Sequence, residues 1–177
     1  MEIQKDKLEN FRLLILGAGS VVTEFYLPAL QLLHCLPNAF FVDSSGSALK
    51  NLARIAPRAR YQQADFKDYL LDISVKGLFD AVVVALPNYL HVQAVELAMS
   101  LGFDVLCEKP LALEVNACLR LDKLSRETGQ VLAVGMVRRY LPCELALRQA
   151  LKEDLIGPLQ EIDIAWGESY KRNVWLS

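Results

Sequence analysis

Leu13-Leu14-Ile15-Leu16 runs without a break into Gly17-Ala18-Gly19, and from Ser20 onward the apolar residues take up helical spacing. An apolar run of this length is too short for a helix, so the stretch reads as a strand, a tight glycine turn and a helix. Such a turn leaves the N–H groups at the helix start without intrahelical partners, with the positive end of the helix dipole behind them. That combination attracts phosphate. Gly17 permits the tight turn, Gly19 permits the close approach of a diphosphate that a Cβ would obstruct, and the backbone of Ala18, Ser20 and Val21 completes the loop. The third position of the G-x-G-x-x-G pattern is Val22, where a glycine or alanine ordinarily lets the helix pack close to the sheet. By itself the loop fits a nucleotide site and an ordinary strand-to-helix turn equally well.

The residues that follow repeat the alternation. Residues 39–43, AFFVD, form a short buried strand closed by an acid. Asp43 falls near the place where the second strand of a dinucleotide fold puts the carboxylate that accepts hydrogen bonds from the adenosine ribose. A 2′-phosphate would be repelled there, and neither Ser44 nor Ser45 supplies the arginine that NADP usually requires, so the expected cofactor is NAD, with NADP second. The alternative is that Asp43 only caps the helix carrying Leu49, Leu52 and Ile55. The first helix is expected to bend at Pro28, which lacks a backbone donor. Arg60-Tyr61 ends a short third strand, and residues 65–78 read as a surface helix and a loop.

Residues 79–85, FDAVVVA, are almost continuously hydrophobic, as parallel strands buried on both faces are. Leu86-Pro87-Asn88 ends that strand, with Asn88 as the N-cap of a helix whose Val92, Val95 and Met99 share a stripe and which stops at Gly102. Residues 103–107 form the next strand. Residues 113–129 form a helix with Lys123 and Glu127 four apart on its outer face and Gly129 as its stop, and residues 131–135 form a sixth strand. Strands alternating with helices at this spacing predict a doubly wound α/β fold around a parallel sheet. Ligands in such a sheet sit beyond the carboxyl ends of the strands. Gly17, Asp43, Pro87-Asn88 and Cys107-Glu108-Lys109 all fall at such ends, and four loops on one rim point to a ligand more strongly than one glycine motif does.

Composition narrows the partners. Hydrophobic residues make up 53% of the 177, and 19 basic against 21 acidic residues leave a net charge of −2. That balance gives no electrostatic footprint for nucleic acid or an anionic membrane, so small molecules are the expected partners. Residues 1–11 alternate charge and do not resemble a signal peptide, and no apolar run approaches a membrane span. Cys35, Cys107, Cys118 and Cys143 have no C-x-x-C spacing and no nearby histidines, which argues for reduced, mostly packed thiols, no metal site and a cytoplasmic setting.

Three segments in order, GAGSVVTEFYLPAL, LPNYLH and CEKPLAL, resemble the Gfo/Idh/MocA family of nicotinamide-dependent sugar and cyclitol oxidoreductases. The likeness runs from about Phe11 to Trp166, and the Glu108-Lys109-Pro110 triplet is its specific part. It implies a Rossmann domain in which Lys109 lies beside the nicotinamide and hydrogen-bonds the substrate hydroxyl whose carbon gives up hydride. Glu108 is placed to orient Lys109, and Pro110 fixes the turn, often through a cis peptide. Leu86, Pro87, Asn88 and His91 are then expected along the ribose and nicotinamide side of the cofactor. For Lys109 a solvated loop position, and for His91 a surface or cap position, are the structural alternatives.

After the sixth strand the composition shifts. Arg138-Arg139-Tyr140 precedes a helix from about residue 142 to 153 and resembles the basic-aromatic segment that leads into the family's substrate domain. Arg139 is expected on a cofactor phosphate or a sugar hydroxyl, or as half of a surface pair. Residues 159–166 alternate, with Ile162, Ile164 and Trp166 on one face, and predict a half-buried antiparallel strand whose free edge would pair with a second copy of the chain. The expected division is a dinucleotide-binding domain at 1–137 and, at 138–177, a linker helix and first strand of an incomplete α+β domain. The family's glycine-rich segment with an aspartate and a histidine is not found in this sequence. The resemblance thus implies an oxidoreductase whose cofactor-binding portion alone turns over no substrate; the competing reading is a catalytically silent NAD-binding sensor or scaffold.

Overall fold

The computed structural model describes residues 10–72, 75 and 77–165. The chain divides into two compact units, with the break after Gly135. The first is a six-stranded sheet in the order β3-β2-β1-β4-β5-β6, every neighbouring pair parallel. The strands are β1 (Leu13–Leu16), β2 (Ala39–Asp43), β3 (Arg60–Gln63), β4 (Ala81–Val84), β5 (Asp104–Cys107) and β6 (Leu132–Val134). This is the doubly wound α/β fold that the sequence predicts, and the strand order reverses between β1 and β4.

Alternation along the strands divides the core in two. Leu14, Leu16, Val42, Val82, Val84, Val105 and Cys107 point to one face, under helices α3 (Phe66–Leu71), α4 (His91–Ser100) and α5 (Val115–Thr128). Ile15, Phe41 and Val83 point to the other, under α1 (residues 20–32) and α2 (Gly46–Ile55). Both faces are covered, as continuous apolar strands require. Phe41 is fully buried, and truncating a phenylalanine in such a place costs about 3–5 kcal/mol.

Several local expectations are corrected. The irregularity in α1 lies upstream of Pro28: Val22–Tyr26 is a π turn closed by Leu27 N–H on the Val22 carbonyl, and α-helical geometry resumes at Leu27–Leu32. Pro28 has no N–H for the carbonyl four residues earlier and crowds it, so the ladder opens in the preceding turn. The segment read as a surface helix, α3, instead buries Phe66, Tyr69 and Leu70. Arg60 and Tyr61 begin β3 and do not end it. Asn88 caps nothing with its side chain; it opens a 3₁₀ turn, Asn88–Leu90, ahead of α4.

The strand foreseen at 79–85 is shorter, Ala81–Val84, and Asp80 ahead of it is paired with Arg12. Its carboxylate accepts the backbone N–H of Arg12 at 2.7 Å and the guanidinium Nε at 3.1 Å, while Asp80 N–H donates to the Arg12 carbonyl at 2.9 Å. The pair ties together the amino ends of the neighbouring strands β1 and β4.

The second unit contains a 3₁₀ turn, Val137–Tyr140, and helix α6 (Pro142–Lys152). The strand expected at 159–166 is not formed over residues 159–165, and Trp166 lies outside the described residues. A strand exists through its ladder, and no described strand pairs with this segment; alternation fixes which side chains share a face, not that a partner is there. The sheet edge expected to recruit a second copy is therefore absent from the described residues. Among them, no helix is long and apolar enough to cross a membrane.

Hydrogen bonds from Arg12 hold the Asp80 carboxyl below its ordinary value of 3.8. A carboxylate lowered in the folded state stabilises the fold above its unfolded value and loses that contribution as pH falls through the folded one. Asp80→Asn should lower the urea midpoint at neutral pH, and the difference from the parent should shrink as pH falls below 3.8. Urea titrations across the acid range test this.

Candidate functional site

The parallel ladder continues for one residue past several strands, which sets the loops at the carboxyl ends at one level. Gly17 N–H donates to Val42 O at 2.7 Å, Ala85 N–H to Leu16 O at 2.9 Å, Glu108 N–H to Val84 O at 2.9 Å and Gly135 N–H to Cys107 O at 2.8 Å. The rim therefore carries, in order from β2 to β6, Asp43-Ser44, Gly17 to Val21, Leu86-Pro87-Asn88, Glu108-Lys109-Pro110 and Gly135. The switch point of the sheet lies between the second and third of these groups.

The two loop glycines have different reasons to be glycine. Gly17 has φ +108°, and a Cβ there would overlap the Ala85 carbonyl oxygen and stand 2.9 Å from its carbon, so the backbone itself excludes a side chain. Gly19 has no such conformation, and an added Cβ would meet nothing within 4 Å. The space above Gly19 is open, while Gly17 and Ala18 are buried beneath it. Gly19 O accepts Thr23 N–H at 3.1 Å as the first intrahelical bond, so the N–H groups of the following turn face outward without an i−4 acceptor.

Asp43 does more than either sequence alternative foresaw. Oδ1 accepts Ser45 N–H at 2.7 Å, and Oδ2 accepts Ala18 N–H at 2.7 Å. The acid at the end of β2 thus pins the glycine loop at the end of β1, and Ala18 N–H faces Asp43, not the open space. A carboxylate has about four lone-pair positions, so each oxygen keeps capacity for a further donor. The side-chain cap of α2 is Ser45, through Ala48 N–H at 3.3 Å.

Val22 is fully buried with Ile15, Ala18 and Phe41 and takes no part in the groove. The bulk that departs from the glycine pattern is accommodated in the core, in the same turn that opens to π geometry.

At the other end of the rim, Pro87, Asn88, Lys109 and Pro110 are exposed, and the Lys109–Pro110 peptide is cis. Glu108 shares the face of Leu106, toward α1. Its carboxylate accepts the Tyr26 hydroxyl at 2.8 Å and Lys109 N–H at 3.2 Å. Burial first, and then Glu108, push the Tyr26 hydroxyl well above the usual phenol range, so it remains a donor. Cys107 is pushed up to about 12 by burial and by Glu108, which keeps it an unreactive thiol.

His91 is not where the resemblance led. It is completely buried, with Nδ1 2.7 Å from Pro110 O and Nε2 2.8 Å from Leu86 O. The ring joins the loop after β4 to the loop after β5. Arg139 is carried by the second unit, on the turn Val137–Tyr140, not by the rim of the first.

Tyr26 is the site-associated residue that sequence reading missed. The available signal was its position four residues after Val22, on a stripe that faces the sheet: a phenol on a core-facing stripe needs a polar partner.

Comparison with known proteins agrees with this geometry. A family model described as "Oxidoreductase family, NAD-binding Rossmann fold" (GFO_IDH_MocA) matches residues 11–136. The 2,7-anhydro-N-acetylneuraminate hydratase of Escherichia coli is 34% identical over 98 residues, 55% of this chain and 25% of the relative. The inositol 2-dehydrogenase/D-chiro-inositol 3-dehydrogenase of Shouchella clausii is 29% identical over 144 residues, 81% of this chain and 40% of the relative. The crystal structure of scyllo-inositol dehydrogenase from Lactobacillus casei with bound NAD(H) and scyllo-inositol superposes with a TM-score of 0.68 at 20% identity, covering 84% of this chain and 41% of that one. The chain spans well under half the length of each of these proteins. With a parallel sheet in Rossmann order, a glycine loop at its switch point and the family model matched over most of its length, this chain belongs to the Gfo/Idh/MocA oxidoreductase family through its NAD-binding domain.

Proposed function

We propose that the first unit holds a nicotinamide adenine dinucleotide along its rim and serves hydride transfer to or from a secondary alcohol of a sugar, cyclitol or related small molecule. The observation that carries this reading is the alignment of three chemically different loops at one level: a carboxylate at the end of β2, an open helix start after β1 and a lysine after β5. The fit is specific at Gly19, where nothing in the protein requires a missing side chain and the space above is open. Backbone N–H groups of Gly19, Ser20 and Val21 would hold the diphosphate, aided by the helix dipole. Asp43 would accept the adenosine ribose hydroxyls through its remaining lone pairs, and its charge beside Ser44 favours NAD over NADP.

When bound, the nicotinamide supplies or accepts the hydride. Lys109 is the residue proposed to act on the reacting oxygen: as an ammonium it stabilises the charge that develops there, and at Nζ it can give or take the accompanying proton. Leu86, Pro87 and Asn88 would form the wall on the ribose and nicotinamide side. Glu108 would act behind Lys109, since its carboxylate holds that residue's backbone N–H.

Calorimetric titration separates these roles. NADH should bind at least about tenfold more tightly than NADPH, and Asp43→Ala should remove most of that preference. No heat with either dinucleotide would overturn the reading. The glycines should part company: Gly17→Ala should cost about 3 kcal/mol of stability or more, whereas Gly19→Ala should leave stability within about 0.5 kcal/mol while weakening NADH at least about tenfold. Urea unfolding beside the titration measures both, and unchanged NADH affinity in Gly19→Ala would exclude the diphosphate from that place.

A further inference from the structure

We propose that Tyr26 is a positioning residue for the lysine loop, acting through Glu108. The inference rests on the reading of Lys109 as the group beside the nicotinamide and extends it to a residue that touches neither cofactor nor substrate. Tyr26 is the last residue of the π turn of α1, on the helix whose first turn would carry the diphosphate. Its hydroxyl donates to Glu108 Oε1 at 2.8 Å, and Oε2 of the same carboxylate accepts the Lys109 backbone N–H at 3.2 Å. On the remaining side, a Cβ on Gly135 would stand 3.0 Å from Oε1, so the glycine that follows β6 leaves the room the carboxylate occupies. One partly buried carboxylate thus bridges α1 and the backbone of the lysine it precedes, beside Gly135.

Alternation explains why the contact is possible. Glu108 follows Leu106 on the face covered by α1, so its side chain turns under the rim while Lys109 is exposed above it. The π geometry at Val22–Tyr26 widens the turn that carries the phenol. The bridge fixes the height and orientation of the Lys109 backbone relative to the helix behind the diphosphate loop. It couples the two ends of the proposed dinucleotide site through the protein.

The test compares NADH with ADP-ribose, which lacks only the nicotinamide, by titration of the intact chain. In Tyr26→Phe, NADH affinity should fall about fivefold or more while ADP-ribose affinity stays within about twofold of the parent, because the adenosine and diphosphate contacts do not depend on the bridge. Glu108→Ala should reproduce that pattern, Glu108→Gln should retain most of the affinity because its amide oxygen can accept the Lys109 N–H while its NH2 donates to the Tyr26 oxygen, and the double variant Tyr26→Phe, Glu108→Ala should be no worse than Glu108→Ala alone. Should Tyr26→Phe fail to fold, the contrast between Glu108→Gln and Glu108→Ala carries the test. Equal losses for both ligands, unchanged NADH affinity or additive losses in the double variant would overturn the proposal. If the parent chain binds neither ligand, the dinucleotide reading itself falls and this proposal with it.

Discussion

The site depends on the parallel hydrogen-bond ladder being carried one residue beyond the ends of the strands. Each added bond, from Gly17, Ala85, Glu108 and Gly135, begins in a loop and ends on a neighbouring strand. The loops are therefore extensions of the sheet and share its rigidity. Neighbouring strands lie about 4.8 Å apart, so the distance from Asp43 on β2 to Lys109 after β5 is set by three strand spacings, on the order of 14 Å. Backbone geometry fixes that span before any side chain acts on a ligand.

Beneath the rim a second layer of polar contacts ties the loops to one another. Asp43 joins the loop after β2 to that after β1, His91 joins those after β4 and β5, and Tyr26 joins α1 to Glu108. Buried polar groups that lose a partner are costly, so these bridges favour one arrangement of the loops over alternatives. The two halves of the glycine motif show the same division of labour. Gly17 is required by the protein's own backbone, whereas Gly19 opens onto free space, where the proposed diphosphate would lie.

Much of this was legible in the sequence because it is local. The apolar runs, the glycine turn, Gly129 as a left-handed stop at φ +76° and the alternation of strands and helices all depend on neighbours in the chain. What was misread depends on distant partners. His91 has the spacing of a surface residue at a helix start, and only the fold brings the Pro110 and Leu86 carbonyls to its two nitrogens. Asp43 shows a carboxylate to the sequence reader but not the Ala18 N–H it holds. Residues 159–165 alternate as a strand does, yet alternation cannot provide the neighbouring strand that would make them one. Pro28 announced an irregular helix but not that the turn before it would open and carry Tyr26 to Glu108.

The central claim is that a dinucleotide spans the carboxyl-end rim from Asp43 to Lys109, and amide chemical-shift mapping of the ¹⁵N-labelled chain with NADH tests it most directly. Shifts should concentrate at Gly19, Ser20, Val21, Asp43, Ser44 and Lys109, leaving the opposite rim around Arg12 and Asp80 unchanged. Perturbations centred on Arg12 and Asp80, or confined to the outer helices, would contradict it.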